Sequence, residues 1–394
     1  RGFNPISGKS VTNAKLDIDN ITYRHKVYND IDANVVIHPD GVMELTANSR
    51  NPGIDFYLEG TGMIKPDDYT FDIKTTIRDL DLKELGLSET MNSGKGLLSL
   101  QGSASPEKWL YDMKLRVEDL DWNLPNQYIH IPAGITAVLK ADKFMTDLEV
   151  ESYLTNVRFK SENGLKDLIS SFDKVSEVID TQIKNKSVEI DVLSETMPRF
   201  NLSMNASGKG LISQFIVPQG LSLDTIYGGF SNDSLFHGNI SLYNFEKGTL
   251  ELDTIRLDLS QRGSLLDYRM HLGNRPGTLD EFAVANLRGY LGSNRLGAYI
   301  TQRNIKGEEG YKIGLAAALQ DSIVSLHFSP LESTIAYMPW TFNDDNFVDF
   351  NIYNRKVDAD LEARSNESEV VIRTEPIESG LDKLLVKLSN IRIQ

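Results

Sequence analysis

Apolar residues at every second position recur along this chain, and no other feature constrains the fold as much. Successive strand side chains point to opposite sides of a sheet, so a period of two gives one dry side and one wet side. Ile31, Ala33, Val35 and Ile37 alternate with Asp32, Asn34 and Val36, and Met43, Leu45 and Ala47 resume the pattern after Pro39-Asp40-Gly41. That tripeptide predicts a hairpin turn, because proline presets φ and glycine accepts a positive one. Ile54, Phe56 and Leu58 follow. After a turn at Pro66-Asp67-Asp68, Tyr69, Phe71, Ile73, Thr75 and Ile77 oppose Thr70, Asp72, Lys74, Thr76 and Arg78. Tyr111, Met113, Leu115 and Val117 make another set. In the second half, Ile240 and Leu242, then Leu250, Leu252, Ile255, Leu257 and Leu259, read as a meander. Turn signals return about every 8–12 residues, which is the all-β rhythm.

One stretch departs from this period. Leu165, Leu168, Ile169, Phe172, Val175, Val178, Ile179 and Ile183 recur at spacings of three and four, with Lys166, Asp173, Lys174, Glu177 and Asp180 on the other side. This predicts an amphipathic helix within residues 162–187, with Asn163 as its cap. Its apolar face, centred on Leu168, Phe172, Val175 and Ile179, is expected to cover a sheet edge or to plug an apolar groove. The fold predicted is all-β dominated: a long, curved, groove-like or taco-like antiparallel sheet with one helix near its middle. Residues 1–161 and 188–394 form its two β segments. The run from Leu80 to Leu87 breaks period two and predicts a short helical turn. Residues 87–91 recur as 193–197, and 93–99 as 207–213, a partial internal echo.

Composition removes several functions. A net charge of −15 argues against nucleic acid, whose phosphates would need cations. Without cysteine there are no disulfides and no thiolate metal sites. No apolar run reaches the length of about 18 residues needed for a helical membrane span. Because the chain starts at Arg1 without methionine and ends at Gln394 in an apparent strand, we expect a longer parent protein.

Catalytic signals do not hold. Gly8-Lys9-Ser10 resembles the end of a phosphate-binding loop, but Phe3 stands where a glycine is required. His25, His38, His130, His237, His271 and His327 are scattered, and the three at 130, 237 and 327 are expected on solvent faces of strands. Gly60-Thr61-Gly62 and Gly208-Lys209-Gly210 open no helix after a strand and read as bulges or bends. Asn343-Asp344-Asp345-Asn346 offers oxygens to calcium but lacks spaced acidic ligands, so a plain turn is expected. No catalytic residue, metal ligand or cofactor is assigned.

Tyr337-Met338-Pro339-Trp340-Thr341-Phe342-Asn343-Asp344-Asp345-Asn346 resembles the Pro-Trp-x-x-Asn-x-x-Asn segment of TamB-type translocation and assembly module proteins of Bacteroidetes. The helix followed by Met197-Pro198-Arg199-Phe200 is similar to the same group, and residues 76–87 resemble strand transitions of the wider AsmA-like superfamily. The resemblance implies a periplasmic part of an inner-membrane-anchored protein. An apolar β-groove would carry phospholipid acyl chains between the inner and outer membranes and support outer-membrane biogenesis. The anchor, and the region that docks an outer-membrane barrel partner, are not recognised in this chain. On this reading Val35, Ile37, Met43, Leu45, Phe56, Leu58, Phe71, Ile73, Met113 and Leu115 line the lipid groove. The alternatives are an assembly factor or chaperone for outer-membrane proteins, offering sheet edges, and an extracellular adhesin or glycan-binding protein. Trp109, Trp122 and Trp340 lie too far apart in sequence to favour the last. Two ordinary β-sandwiches with filled cores would account for the same alternation.

Overall fold

The computed structural model describes residues 11–23, 26–65, 67–86, 93–124, 127–131, 134–210, 212–275, 282–330, 332–376 and 382–390. Gly8-Lys9-Ser10, His25, Pro66 of the Pro66-Asp67-Asp68 turn, residues 87–91 of the echo and both chain ends lie outside them. The protein is mostly β, with 69% of residues in strands, 10% helical, and 27 antiparallel strands that do not close into a barrel. Two compact units divide it: Arg1–Ser170 with Pro198–Ser222, and Ser171–Met197 with Leu223–Gln394. The boundary differs from the division read at residue 188, because the strand after the helices returns to pair with the first unit.

The first unit contains β1 (Thr12–Tyr23), β2 (Lys26–Ile37), β3 (Val42–Asn51), β4 (Ile54–Lys65), β5 (Asp68–Asp81), β6 (Ser93–Ser105), β7 (Leu110–Leu124), β8 (Gln127–Ile131), β9 (Ile135–Ala141), β10 (Thr146–Ser152), β11 (Thr155–Ser161), β12 (Phe200–Ser207) and β13 (Leu221–Ser222). Each strand from β1 to β7 pairs with the next, and the ladder continues through β9, β10, β11 and β12. The β2–β3 turn is the predicted one, with Gly41 at φ 89° and its amide bonded to the His38 carbonyl. Strand β7 serves two partners, β9 through residues 111–117 and β8 through 120–124. Asp119, in the left-handed region at φ 47°, marks the change and flips the alternation. Beyond Asp81 the chain makes one turn, closed by the Leu85 amide on the Asp81 carbonyl. That is the short helical turn expected there, but Leu80 and Asp81 remain in β5. Gly60 and Gly62 lie in the regular ladder of β4, not in the bulge or bend expected.

The helical connection comprises α1 (Leu165–Asn185) and α2 (Ile190–Thr196), followed after β12 by the short α3 (Ser213–Ile216). Helix α1 falls within the predicted window. The α2 helix was not expected from the sequence. The second echo is not structural, since 93–99 lies in β6 while the chain leaves β12 after Ser207 and turns towards α3.

The second unit contains β14 (Thr225–Asn232), β15 (Phe236–Lys247), β16 (Leu250–Arg262), β17 (Leu265–Asn274), β18 (Val284–Gly292), β19 (Arg295–Arg303), β20 (Glu309–Gln320), β21 (Ile323–Phe328), β22 (Ser333–Ile335), β23 (Met338–Phe342), β24 (Phe347–Asn351), β25 (Val357–Ser365), β26 (Ser368–Pro376) and β27 (Asp382–Ser389). From β14 to β20 it is a simple meander. A register shift between Leu252 and Thr254 moves the apolar phase from Leu250 and Leu252 to Ile255, Leu257 and Leu259. Two later strands are each interrupted. β21 and β22 both run against β20, separated by 329–332; β23 and β24 both run against β25, separated by 343–346. Trp340, Phe342, Leu361 and Ala363 form the buried core here, with Phe328, Ile335, Met338 and Val348 packed on it.

Candidate functional site

In antiparallel pairing, directly opposed residues share a face, so the register decides what alternation builds. One row of the first unit reads Ala14, Val35, Leu45, Gly60, Ile73, Leu100, Leu115, Ala137, Val150, Val157 and Met204 across eleven successive strands. The next row on the same face reads Ile37, Met43, Gly62, Phe71, Gly102, Met113, Leu139, Leu148, Phe159 and Leu202. Leu58 and Phe56 stand in the following two rows. All ten residues singled out from sequence therefore share one face, in four adjacent rows.

The first two of these rows contain no charged residue. The row behind them reads Asn34, Thr46, Glu59, Lys74, Ser99, Arg116, Thr136, Glu151, Asn156 and Asn205. Every member is polar. In two further rows of that opposite side, Arg158 pairs with Glu149 at 2.5 Å and Lys160 with Asp147 at 3.3 Å. At a strand spacing of about 4.8 Å, an eleven-strand row extends about 48 Å.

None of the ten is buried. Nine are half-buried, shielded only by their neighbours in the sheet, and Leu115 is 36% exposed. Phe71 lies between Gly62 and Gly102 in its row. A Cβ at Gly62 would stand 2.4 Å from the Thr70 carbonyl oxygen, and one at Gly102 2.0 Å from that of Asp112. The two glycines thus allow backbones to close in beside the ring. By contrast Ile129 and Ile131 of β8, next to α3, are buried. The chain exposes 24305 Å². A compact monomer of this size would expose about 15,500 Å², and two separate compact bodies of half the size about 18,700 Å² together.

The helix departs from expectation. Leu168 and Val175 are buried at 6% and 8%, but Phe172 and Ile179 are 43% and 42% exposed, and Ile169 and Ile183 are exposed too. The contacting stripe is Leu168, Ser171, Val175, Val178 and Gln182, rotated from the centre of the apolar stripe. The expected face of four is thus split, two covered and two open. Lys166 Nζ sits 5.9 Å from the centre of the Trp109 ring.

Polar clusters were also weighed. On β6–β8 the Asp121 carboxylate accepts hydrogen bonds from Tyr128 and Lys95 and lies against His130 Nδ1. The Tyr128 hydroxyl, then Lys95, hold Asp121 well below the usual carboxylate range, and the same bond pushes Tyr128 up. Lys95 of β6, Asp121 of β7, and Tyr128 and His130 of β8 tie three strands together through this cluster. His130, His237 and His327 lie in strands with exposed side chains, as expected. In the Asn343–Asn346 turn the two asparagine side-chain oxygens are committed: Asn346 Oδ1 accepts from the Phe328 amide, and Asn343 Oδ1 from the Glu362 amide. Compared with known protein families, curated proteins and solved structures, the chain matches none.

Proposed function

We propose that this protein is a non-enzymatic lipid carrier of the cell envelope. Its first-unit apolar face receives phospholipid acyl chains and passes them between inner and outer membranes, in support of outer-membrane biogenesis. The observation that carries this reading is the unbroken apolar face on which none of the ten residues is buried. Leaving such a face wet is costly at about 25 cal/mol per Å². An acyl chain relieves that cost at about 0.8 kcal/mol per methylene, with no hydrogen bonding required. The row length lets a chain slide across strands without meeting a charge. The resemblance of residues 337–350 to TamB-type proteins supports the periplasm as its location.

Lipid analysis of protein purified without detergent tests the proposal. Phospholipid should be recovered at a fixed ratio and should be lost when Phe71 and Ile73 are both changed to aspartate. Lipid-free protein that also fails to withdraw fluorescent phospholipid from vesicles would contradict it.

A further inference from the structure

The polar face of the second unit carries two arginines that make no ion pair among the described residues. Arg269 of β17 and Arg288 of β18 are directly opposed in register. Like charges in that position destabilise a strand pair, and this occurs in a chain of net charge −15. The carboxylates nearest along the strands are engaged by other arginines. Asp258, opposite Arg269 on β16, has both oxygens engaged by Arg256 at 2.9–3.1 Å. Asp267, two residues along β17, is engaged by Arg262 at 3.0 and 3.3 Å. On the far side, Lys312 sits 4.0 Å from Glu309. Asp344 also lines the first depression, so the four arginines here (Arg256, Arg262, Arg269 and Arg288) face three carboxylates (Asp258, Asp267 and Asp344), a surplus of one positive charge.

The surroundings hold this surplus in place. Arg288 lies over the Tyr299 ring, 4.6 Å from its centre, which orients its guanidinium. Arg269, Arg288 and Tyr299 line two adjoining open depressions of about 620 and 560 Å³. Donors from His271, Asn286 and Thr301 line the second of these, with His271 Nδ1 2.8 Å from Asn286 Oδ1.

We propose that this cleft binds a phosphoryl group. A phosphate monoester carries nearly two negative charges and three equivalent oxygens, so it can bridge two guanidinium forks, whereas a carboxylate is satisfied by one. The site lies on the polar side of β16–β19 and is independent of the acyl-chain reading. The phosphoryl group can be free or borne on a lipid headgroup.

The test is titration calorimetry with inorganic phosphate and with glycerol phosphate. It is paired with sedimentation on phosphatidylcholine vesicles with and without phosphatidic acid, on wild type and on the Arg269→Gln/Arg288→Gln variant. Saturable binding of the soluble phosphates, weakened at least tenfold in the variant, supports a free ligand. Binding to phosphatidic acid vesicles alone, lost in the variant, supports a headgroup. Removing an opposed like-charge pair should leave the fold intact, which circular dichroism checks. Arg288→Lys, which keeps charge without the fork, should weaken binding less than Arg288→Gln. Absence of both interactions, or equal binding by wild type and variant, overturns the proposal.

Discussion

Side-chain amides take the place of missing backbone pairs at several points in this protein. Where the β21–β22 and β23–β24 strands are interrupted, Asn346, 1% exposed, accepts from the Phe328 amide at 2.7 Å and donates to the Phe328 carbonyl at 2.8 Å. Asn343 does the same for the Glu362 amide and the Asp360 carbonyl, and Asn51 for both groups of Asn29. Each buried polar group left without a partner costs about 1–3 kcal/mol. Asn346→Ala should therefore loosen this region by about 3 kcal/mol, read as faster hydrogen exchange at Phe328. Unchanged exchange there would mean that the amide carries no such load. Asp121 supplies a pH-dependent contribution. Its folded pKa is depressed by Tyr128 and Lys95, so its stabilisation is complete above the unfolded value, about 3.9. It is lost as pH falls through the lower folded value. Wild type should exceed Asp121→Asn in stability at neutral pH, and acid urea melts should narrow that gap. A gap independent of pH would contradict the assignment.

Helix α1 separates two kinds of apolar residue that its sequence does not distinguish. Leu168→Ala removes a buried side chain and should cost about 2–5 kcal/mol in helix docking, measured as amide exchange across α1. Phe172→Ser and Ile179→Ser should change it little, because both rings of contact there are open to solvent. Equal effects at all three positions would place Phe172 and Ile179 in a core. The helix was legible because its 3.6-residue period stands alone among strands, and the β2–β3 hairpin because Gly41 requires a positive φ. That the ten named residues share one face was legible because apolar and polar positions alternate along each strand. Which flank of α1 is covered was not, since that depends on packing partners distant in sequence. The bulges at Asp119 and near Asp253 were also hidden, because aspartate in a strand gives no mark of the left-handed backbone or shifted register. Arg269 and Arg288 escaped notice for a similar reason: 19 residues separate them along the chain, and only the β17–β18 register makes them neighbours.

At the scale of the molecule, the first unit presents a continuous apolar face whose ten named residues are not buried. A filled core and an open surface differ in what a charge placed on that face does. Phe71 and Asp72 are adjacent in β5 but point to opposite sides, and they make the sharpest comparison. A photocrosslinker at Phe71 should capture phospholipid while the same group at Asp72 should not, and Phe71→Asp should remain folded by thermal melting while losing the lipid. No adduct at Phe71, together with loss of the folded state in Phe71→Asp at the roughly 3–5 kcal/mol expected for a buried aromatic, would establish a filled core and contradict the lipid-carrying face.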